Sequence, residues 1–391
     1  MNKEILNKET QEFINSNLKS DITKLILKGS PFTSASIQEV AQQIEAKNKC
    51  EKKLPTWFNS KNIYYPNKLN IEQTSSEITA KYKATLVAGK SLIDITGGFG
   101  VDAYYFSQKK LAITHCEISE NLSKIVTHNL TQLNTLNIST YIGDGIQYLK
   151  NNTSNYDWIY TDPSRRNDAK GKVFLLEDCL PNIPENLDFL FTKTTNILIK
   201  ASPILDIKSA VNELKFVKEI HIVSIENEVK ELLFILEKNY NKSVSIKTIN
   251  FKKTANQNFN FILGEAIFAN YSPPKKYIYE PNTAILKAGA FQEISVQLNV
   301  DKLHLHSHLY TSEKLINFPG RSFKIKHVVS YNKKEISKLI LSKKANITTR
   351  NFPETVAQIR KKTNLKEGGN NYLFFTTDLN SKHIVIICEK V

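Results

Sequence analysis

The stretch that most constrains this chain runs from Ser91 to Asp102 and reads SLIDITGGFGVD. A short apolar run, Leu92 to Ile95, carries the carboxylate of Asp94. It leads into three glycines within four positions, Gly97, Gly98 and Gly100. A run of this length reads as a buried strand. The glycines let the backbone turn sharply with no side chain between it and a ligand. The helix predicted to begin near Val101 points its free N–H groups back into that turn. Strand, glycine turn and helix in this order form a ligand crevice at the carboxyl edge of an α/β sheet.

The chain has 391 residues, which predicts two or three domains. No run approaches the ~20 apolar residues of a membrane span. The opening MNKEILNKETQEF lacks a signal peptide's apolar segment. Cys50, Cys116, Cys179 and Cys388 show no CxxC spacing, and Cys116 and Cys388 lie in strand-like runs, so buried thiols in a reducing, cytoplasmic setting are expected. The net charge of +15 favours a polyanionic partner. Its distribution points the same way, since Lys324 to Glu367 holds twelve Lys and Arg against three acids.

Residues 1 to about 60 read as helical, with a capping box at Ser36–Glu39 (SIQE). The Pro- and aromatic-containing segment 52–70 breaks that pattern. A second box at Thr74–Glu77 (TSSE) opens a helix for which Gly89 is the expected C-cap. From 91 to about 265 strands and helices alternate, as in a doubly wound, mostly parallel sheet. Strands are expected at 111–117, 139–142, 156–161, 196–200, 219–225, 231–236 and 259–267. After the linker YSPPKK (271–276) a small segment reaches about Pro319 and includes the alternating run LHLHSHL, read as a strand placing His304, His306 and His308 on one face. That face is expected to be polar rather than metal-binding. Strand, helix, strand, helix and two strands follow to the end, with Pro353 in the first turn of the second helix. The expected domains are a helical region 1–75, a sheet domain 76–270, a segment 275–318 and an α+β domain 319–391.

Carboxylates fall at successive strand ends: Asp94, Glu117, Asp144 and Asp162. Parallel strands open their carboxyl ends on one edge, so these side chains can converge on one ligand. The GGFGVD turn does not fit the G-x-G-x-x-G of dinucleotide-binding dehydrogenases. Four motifs in this order over about 91–240 resemble the class I S-adenosylmethionine-dependent methyltransferases. The resemblance implies a cofactor site of Asp94, Thr96, Gly97, Gly98, Phe99, Gly100, Asp102, Glu117, Ile118, Asp144, Gly145 and Asp162. Asp94 would help hold the cationic amine and sulfonium end of S-adenosylmethionine. Glu117 would accept from the ribose diol, Asp144 from the adenine amine, and Gly145 would leave room beside the ring.

Asp162 to Arg166 reads DPSRR and stands where the family places its substrate-side motif, so the resemblance assigns Asp162, Pro163, Ser164 and Arg165 to catalysis. Exocyclic-amine methyltransferases carry an aromatic ring at the fourth position of this loop. Here Arg165 stands there, able to stack on a base or grip a phosphate. The family's covalent route needs a cysteine after the next strand, which here ends IKASP, and Cys179 reads as structural. Arg165, Arg166 and Lys200 are expected to bind substrate. Ser202 and Asp206 are secondary candidates, and Asn227 and Glu228 weaker ones.

The layout from NIEQTSSEITAKYKA through DPSRR to TRNFP, IRKK and GGNNYLFFTT resembles a bacterial group that adds a small ferredoxin-like segment and a THUMP-like domain to this methyltransferase. That resemblance implies RNA, tRNA or rRNA, as partner and substrate, with Arg350, Arg360, Lys361, Lys362 and Lys366 as contacts. A non-catalytic nucleic-acid-binding protein, or a methyltransferase of proteins or small molecules, are the alternatives. No metal is expected.

Overall fold

The structure is a computed structural model and describes residues 1–165 and 175–391. Two compact units divide the chain: Met1–Lys218 with Leu233–Asn241, and Glu219–Leu232 with Lys242–Val391.

The first unit opens with helices α1 (Lys8–Ser16), α2 (Ile22–Lys28), α3 (Ile37–Lys53), α4 (Pro55–Asn59), α5 (Lys68–Gln73) and α6 (Glu77–Leu86). The SIQE box forms as expected: Ser36 Oγ accepts the Glu39 N–H and Glu39 accepts the Ser36 N–H. The segment after α3 is more regular than its sequence suggests. Pro55 starts α4, and Trp57 packs edge-on against Tyr104 with ring centroids 5.0 Å apart. The second box is displaced. Ser76, not Thr74, caps α6 by accepting the Thr79 N–H, because Glu77 turns inward and accepts from Thr56 Oγ1 and Tyr105 OH. Gly89 is not the C-cap either, since α6 ends at Leu86. A Cβ at Gly89 would lie 2.8 Å from Asp157 Oδ2, which accepts the N–H groups of Lys90 and Ser91 and steers the chain into the sheet.

That sheet contains β1 (Ser91–Asp94), β2 (Ala112–Glu117), β3 (Ile138–Ile142), β4 (Trp158–Thr161), and, after the short pair β5 (Ser164–Arg165) and β6 (Cys179–Leu180), β7 (Asn196–Ala201). Helices α7 (Val101–Ser107), α8 (Glu120–Gln132), α9 (Gly145–Asn151), α10 (Ile183–Lys193) and α11 (Ile207–Glu213) connect them. The order is β7-β4-β1-β2-β3, with every neighbouring pair parallel. The chain runs outward from β1 through β2 to β3, then returns to β4 on the other side. The strand order therefore reverses at β1, where open α/β sheets bind ligands. Leu92, Ile93, Ile159, Ile197, Leu198 and Ile199 are fully buried in its core.

Strands β8 (Val217–Ile225) and β9 (Glu228–Glu237) run from one unit into the other. In the second unit β8 pairs in parallel with β10 (Ser245–Phe251), which pairs antiparallel with β11 (Gln257–Ile262). The sequence reading omitted β10 and extended β11 to residue 267. A seven-stranded sheet follows, of β12 (Tyr277–Pro281), β13 (Asp301–Lys302), β14 (Tyr310–Ser312), β15 (Gly320–Ser330), β16 (Asn346–Arg350), β17 (Tyr372–Thr377) and β18 (His383–Lys390). Helices α12 (Thr283–Ala288), α13 (Glu293–Leu298), α14 (Lys333–Leu339) and α15 (Val356–Thr363) accompany it. Ile336 and Ile359 pack on Leu373, Phe375, Val385 and Ile387. Pro353 lies ahead of α15, which starts from a Thr355–Gln358 capping box. The LHLHSHL run is a turn and not a strand. His308 has φ 51° and stacks on Phe291, while His304 hydrogen-bonds Asn351 and lies against the His306 ring, so the three are not set side by side on one strand face.

Candidate cofactor and substrate site

The carboxyl ends of β1, β2 and β4 bring Asp94, Glu117 and Asp162 to one edge. Thr96 joins two of them. Its N–H and hydroxyl both donate to Asp94 Oδ1, at 3.0 and 3.3 Å, and its Oγ1 accepts the Asp162 N–H at 2.7 Å. Asp94 is fully buried. Burial, with the charges of Asp102 and Asp162, raises its pKa to about 8 against the two Thr96 hydrogen bonds.

Glu117 is held from both sides. Oε2 accepts the Gly98 N–H at 2.8 Å and Oε1 the Ser119 N–H at 2.7 Å. Each oxygen keeps a second lone pair. Ile118 beside it is 74% exposed, an apolar surface at the rim. The turn glycines divide their work. A Cβ on Gly97 would lie 2.6 Å from the Cys116 carbonyl oxygen, so this residue serves strand packing. Among the described residues, a Cβ on Gly98 would meet only the Thr96 carbonyl, 3.9 Å away, so here the bare backbone is left uncovered. Gly100 sits against Val126, and Phe99 is buried against Trp57. Beneath the turn His115 is fully buried, and burial holds its pKa down to about 4.

Two expectations change, at Asp102 and at Gly145. Asp102 does not face the crevice but centres a buried network. Its Oδ2 accepts from Ser75 Oγ (2.8 Å) and Tyr160 OH (2.7 Å), while Lys83 Nζ stands 3.2 Å from Oδ1 and donates to Ser75. Burial pushes the Asp102 pKa up, but Lys83, Lys200, Tyr160 and Ser75 outweigh it and leave the carboxyl below its ordinary value. Gly145 makes room for protein: a Cβ there would lie 2.6 Å from Ile95 Cα. Asp144 is the exposed N-cap of α9, with Oδ1 accepting the Gln147 N–H.

At the substrate side Lys200, near the end of β7, pairs with Asp162 Oδ2. Pro163 is buried and Ser164 exposed, and β5 pairs antiparallel with β6, setting Arg165 opposite Cys179. Cys179 is buried, as are the other three free cysteines. Arg166 lies outside the described residues. Ser202 follows β7, and Asp206 caps α11 by accepting the Ser209 N–H. Asn227 accepts the Thr283 N–H and is structural, while Glu228 pairs with Lys230.

The tail residues belong to the second unit. Arg350 binds Glu280 Oε1 at 2.6 Å, and Arg321 Nε binds Oε2 of the same buried carboxylate at 2.7 Å. Arg360 donates to the carbonyls of Leu365 and Ala345. The two arginines expected among the tail's RNA contacts are therefore both held by partners within the unit. Lys361 and Lys366 are exposed, and Lys362 is exposed but paired with Glu354. Among the described residues no group of side chains could hold a metal ion, and no helix is long and apolar enough to cross a membrane.

Sequence reading missed Lys83 and Tyr160. Lys83 had a signal: it follows Ala80 at i+3 and adjoins Ala84 on the buried face of α6.

A mostly parallel sheet of this order, with a glycine turn after its central strand, is the fold of a class I methyltransferase. Comparison with known proteins narrows this. Residues 320–390 match the family model described as THUMP domain-like, and 277–319 that described as a ferredoxin-like domain. The crystal structure of a candidate methyltransferase from Porphyromonas gingivalis W83 is similar at 30% identity and TM-score 0.89, covering 100% of this chain and 98% of that one. The chain therefore belongs to the family of class I S-adenosylmethionine-dependent methyltransferases with a C-terminal THUMP-like domain. M. capricolum TrmK, solved with S-adenosyl-homocysteine, overlaps at 16% identity and TM-score 0.33, covering 45% of this chain and 71% of its own. A modification subunit of a type I restriction enzyme candidate from Vibrio vulnificus YJ016 overlaps at 11% and 0.35, covering 46% and 48%. Likeness at that level adds nothing about chemistry. No curated protein matches the sequence.

Proposed function

We propose that the chain is a methyltransferase that uses S-adenosylmethionine and acts on RNA, tRNA or rRNA, by direct in-line transfer. The observation that carries this reading is Glu117. Its carboxylate is fixed by the Gly98 and Ser119 N–H groups at the end of β2, where a ribose diol needs an acceptor, and Ile118 lies exposed beside it. S-adenosylmethionine supplies an electrophilic methyl group when bound. The protein's part is placement: Glu117 orients the ribose, Ile118 and Asp144 face the adenine, Gly98 lets the backbone approach, and Asp94 supplies counter-charge.

Asp162, Pro163, Ser164 and Arg165 then present the acceptor, with Lys200 holding the Asp162 carboxylate in one orientation. Direct transfer is supported by the cysteines, since all four are buried and none lines the crevice as a nucleophile. RNA as substrate is supported by the THUMP domain-like match and by the basic balance of residues 324–367.

The test is calorimetry with S-adenosylmethionine, followed by methyl-label transfer to RNA and to protein. Wild type is expected to bind, Glu117→Ala to bind at least tenfold more weakly, and label to enter RNA. Unchanged binding in Glu117→Ala would sink the site, and label found only in protein would reject the substrate class.

A further inference from the structure

We infer that Asp94 is the residue by which the pocket tells the cationic cofactor from its neutral product, giving up a proton when the ligand brings a positive charge. This rests on the proposal above that the ligand is S-adenosylmethionine.

Five ionisable side chains gather at the carboxyl ends of β1, β4 and β7 and at the start of α7: Asp94, Asp102 and Asp162, with Lys83 and Lys200. Lys83 stands on Asp102 and Lys200 on Asp162. Among the described residues Asp94 has no ammonium of its own, and the hydrogen bonds it accepts come from Thr96 and fall on Oδ1. Three carboxylates against two ammonium groups leave one negative charge in excess, at the most deeply buried of the three.

Among the described residues, no other group facing Asp94 from the neighbouring strands removes that excess. On β2 its register partner His115 is neutral, with its pKa held near 4 by burial, and the Cys116 thiol is pushed up to about 12, first by burial. On β4 its register partner Tyr160 donates its hydroxyl to Asp102. Glu117 is tied to Gly98 and Ser119. An unpaired buried carboxylate takes a proton rather than bear its charge, and the raised pKa of Asp94 agrees with this.

A sulfonium beside Asp94 replaces the missing ammonium and makes the ionised form favourable. The α-ammonium is common to both ligands, so what the thioether lacks is the sulfonium's charge, and without that charge Asp94 keeps its proton. The cofactor therefore binds with release of a proton from Asp94, the product without it, and their relative affinity depends on pH.

The experiment is isothermal titration calorimetry of the full chain with S-adenosylmethionine and with S-adenosylhomocysteine. It runs from pH 6 to 9, in paired buffers of different ionisation heat, for wild type and Asp94→Asn. The amino group of each ligand titrates equally against both proteins, so the difference between wild type and variant isolates Asp94. At pH 7 wild type is expected to release close to one proton more with the cofactor than with the product. Its preference for the cofactor should rise about tenfold per pH unit and level off above about pH 8. Asp94→Asn should show neither effect. If Asp94→Asn is too unstable to titrate, Asp94→Ser takes its place as the variant that cannot ionise at this position. Equal proton release, or a pH-dependent preference surviving in Asp94→Asn, overturns the inference. Both ligands bound with a flat preference overturns it alone, whereas no binding of either overturns the proposed function as well.

Discussion

Lys83 is fully buried, and its ammonium group meets Asp102 at 3.2 Å and Ser75 at 2.9 Å. Replacing it with Met keeps the length and apolar stem of the side chain and deletes the charge. Asp102 then retains Ser75 and Tyr160 as donors but loses the nearest of its cations. Removing one partner of a buried ion pair costs about 3–5 kcal/mol, because the other charge stays buried without compensation. The two serine and tyrosine donors remain, which places the expected loss near the lower figure, about 3 kcal/mol. The chain's two tryptophans, Trp57 and Trp158, both lie in the first unit, so urea denaturation followed by their fluorescence reads that unit directly. In the companion variant Lys83→Met/Asp102→Asn the orphaned charge is gone too, and at least half of the lost stability should return. A loss below about 1 kcal/mol in Lys83→Met, or a double variant less stable than the single one, would refute the idea that this pair anchors the start of α7 under the glycine turn.

Other consequences can be checked separately. Asp94 keeps its proton in the ligand-free fold up to about pH 8, while in the unfolded chain it ionises near 3.8. The folded state thus binds the extra proton, so the contribution of Asp94 to stability is fully present below the lower value and is lost as pH rises to about 8. Asp94→Asn should flatten that decline, gaining on wild type between pH 5 and 8 in the same denaturation assay. Gly145→Ala forces a methyl group to within 2.6 Å of Ile95 Cα and should destabilise the first unit by about 1–3 kcal/mol, together with weaker cofactor binding. Changing the exposed Lys361, Lys362 and Lys366 to Ser should lower the salt dependence of RNA affinity by about one slope unit for each phosphate no longer neutralised, measured by titration at several salt concentrations. Arg360→Ser should instead lower stability, since its guanidinium donates to two main-chain carbonyls.

The sheet edge was legible in the sequence because its signals are local. Apolar runs ending in Asp94, Glu117 and Asp162 need only period and punctuation, and parallel pairing then brings those ends together. The partners of those acids were harder to see. Lys83 and Lys200 come from elements 11 and 106 residues away from Asp94, and a lysine in a helix reads as surface until its buried neighbours are counted. Strand β10 was overlooked because Lys247, Thr248 and Asn250 interrupt its apolar pattern, although Thr248 and Asn250 are buried. The LHLHSHL run failed in the opposite way. Its strict alternation suits a strand, yet His308 takes a left-handed conformation and closes a turn. Arg350 and Arg360 looked free because nothing local reveals the buried Glu280 or the carbonyls that hold them.

Charge also has to be read at two scales. The chain's excess of fifteen positive charges suits an RNA partner. A cofactor with a sulfonium needs the reverse, and a uniformly positive crevice would repel it. Lys83 and Lys200 are each paired with a carboxylate, so neither contributes a free positive charge there. Among the described residues, what remains uncompensated is Asp94. Net charge describes the field that draws a polyanion to the surface, whereas the excess at β1 depends on pairings that only the fold creates. That difference gives the pH profile of cofactor binding its diagnostic value. A response set by the overall charge would survive Asp94→Asn, while one set by the buried cluster would vanish with that single oxygen-to-nitrogen change.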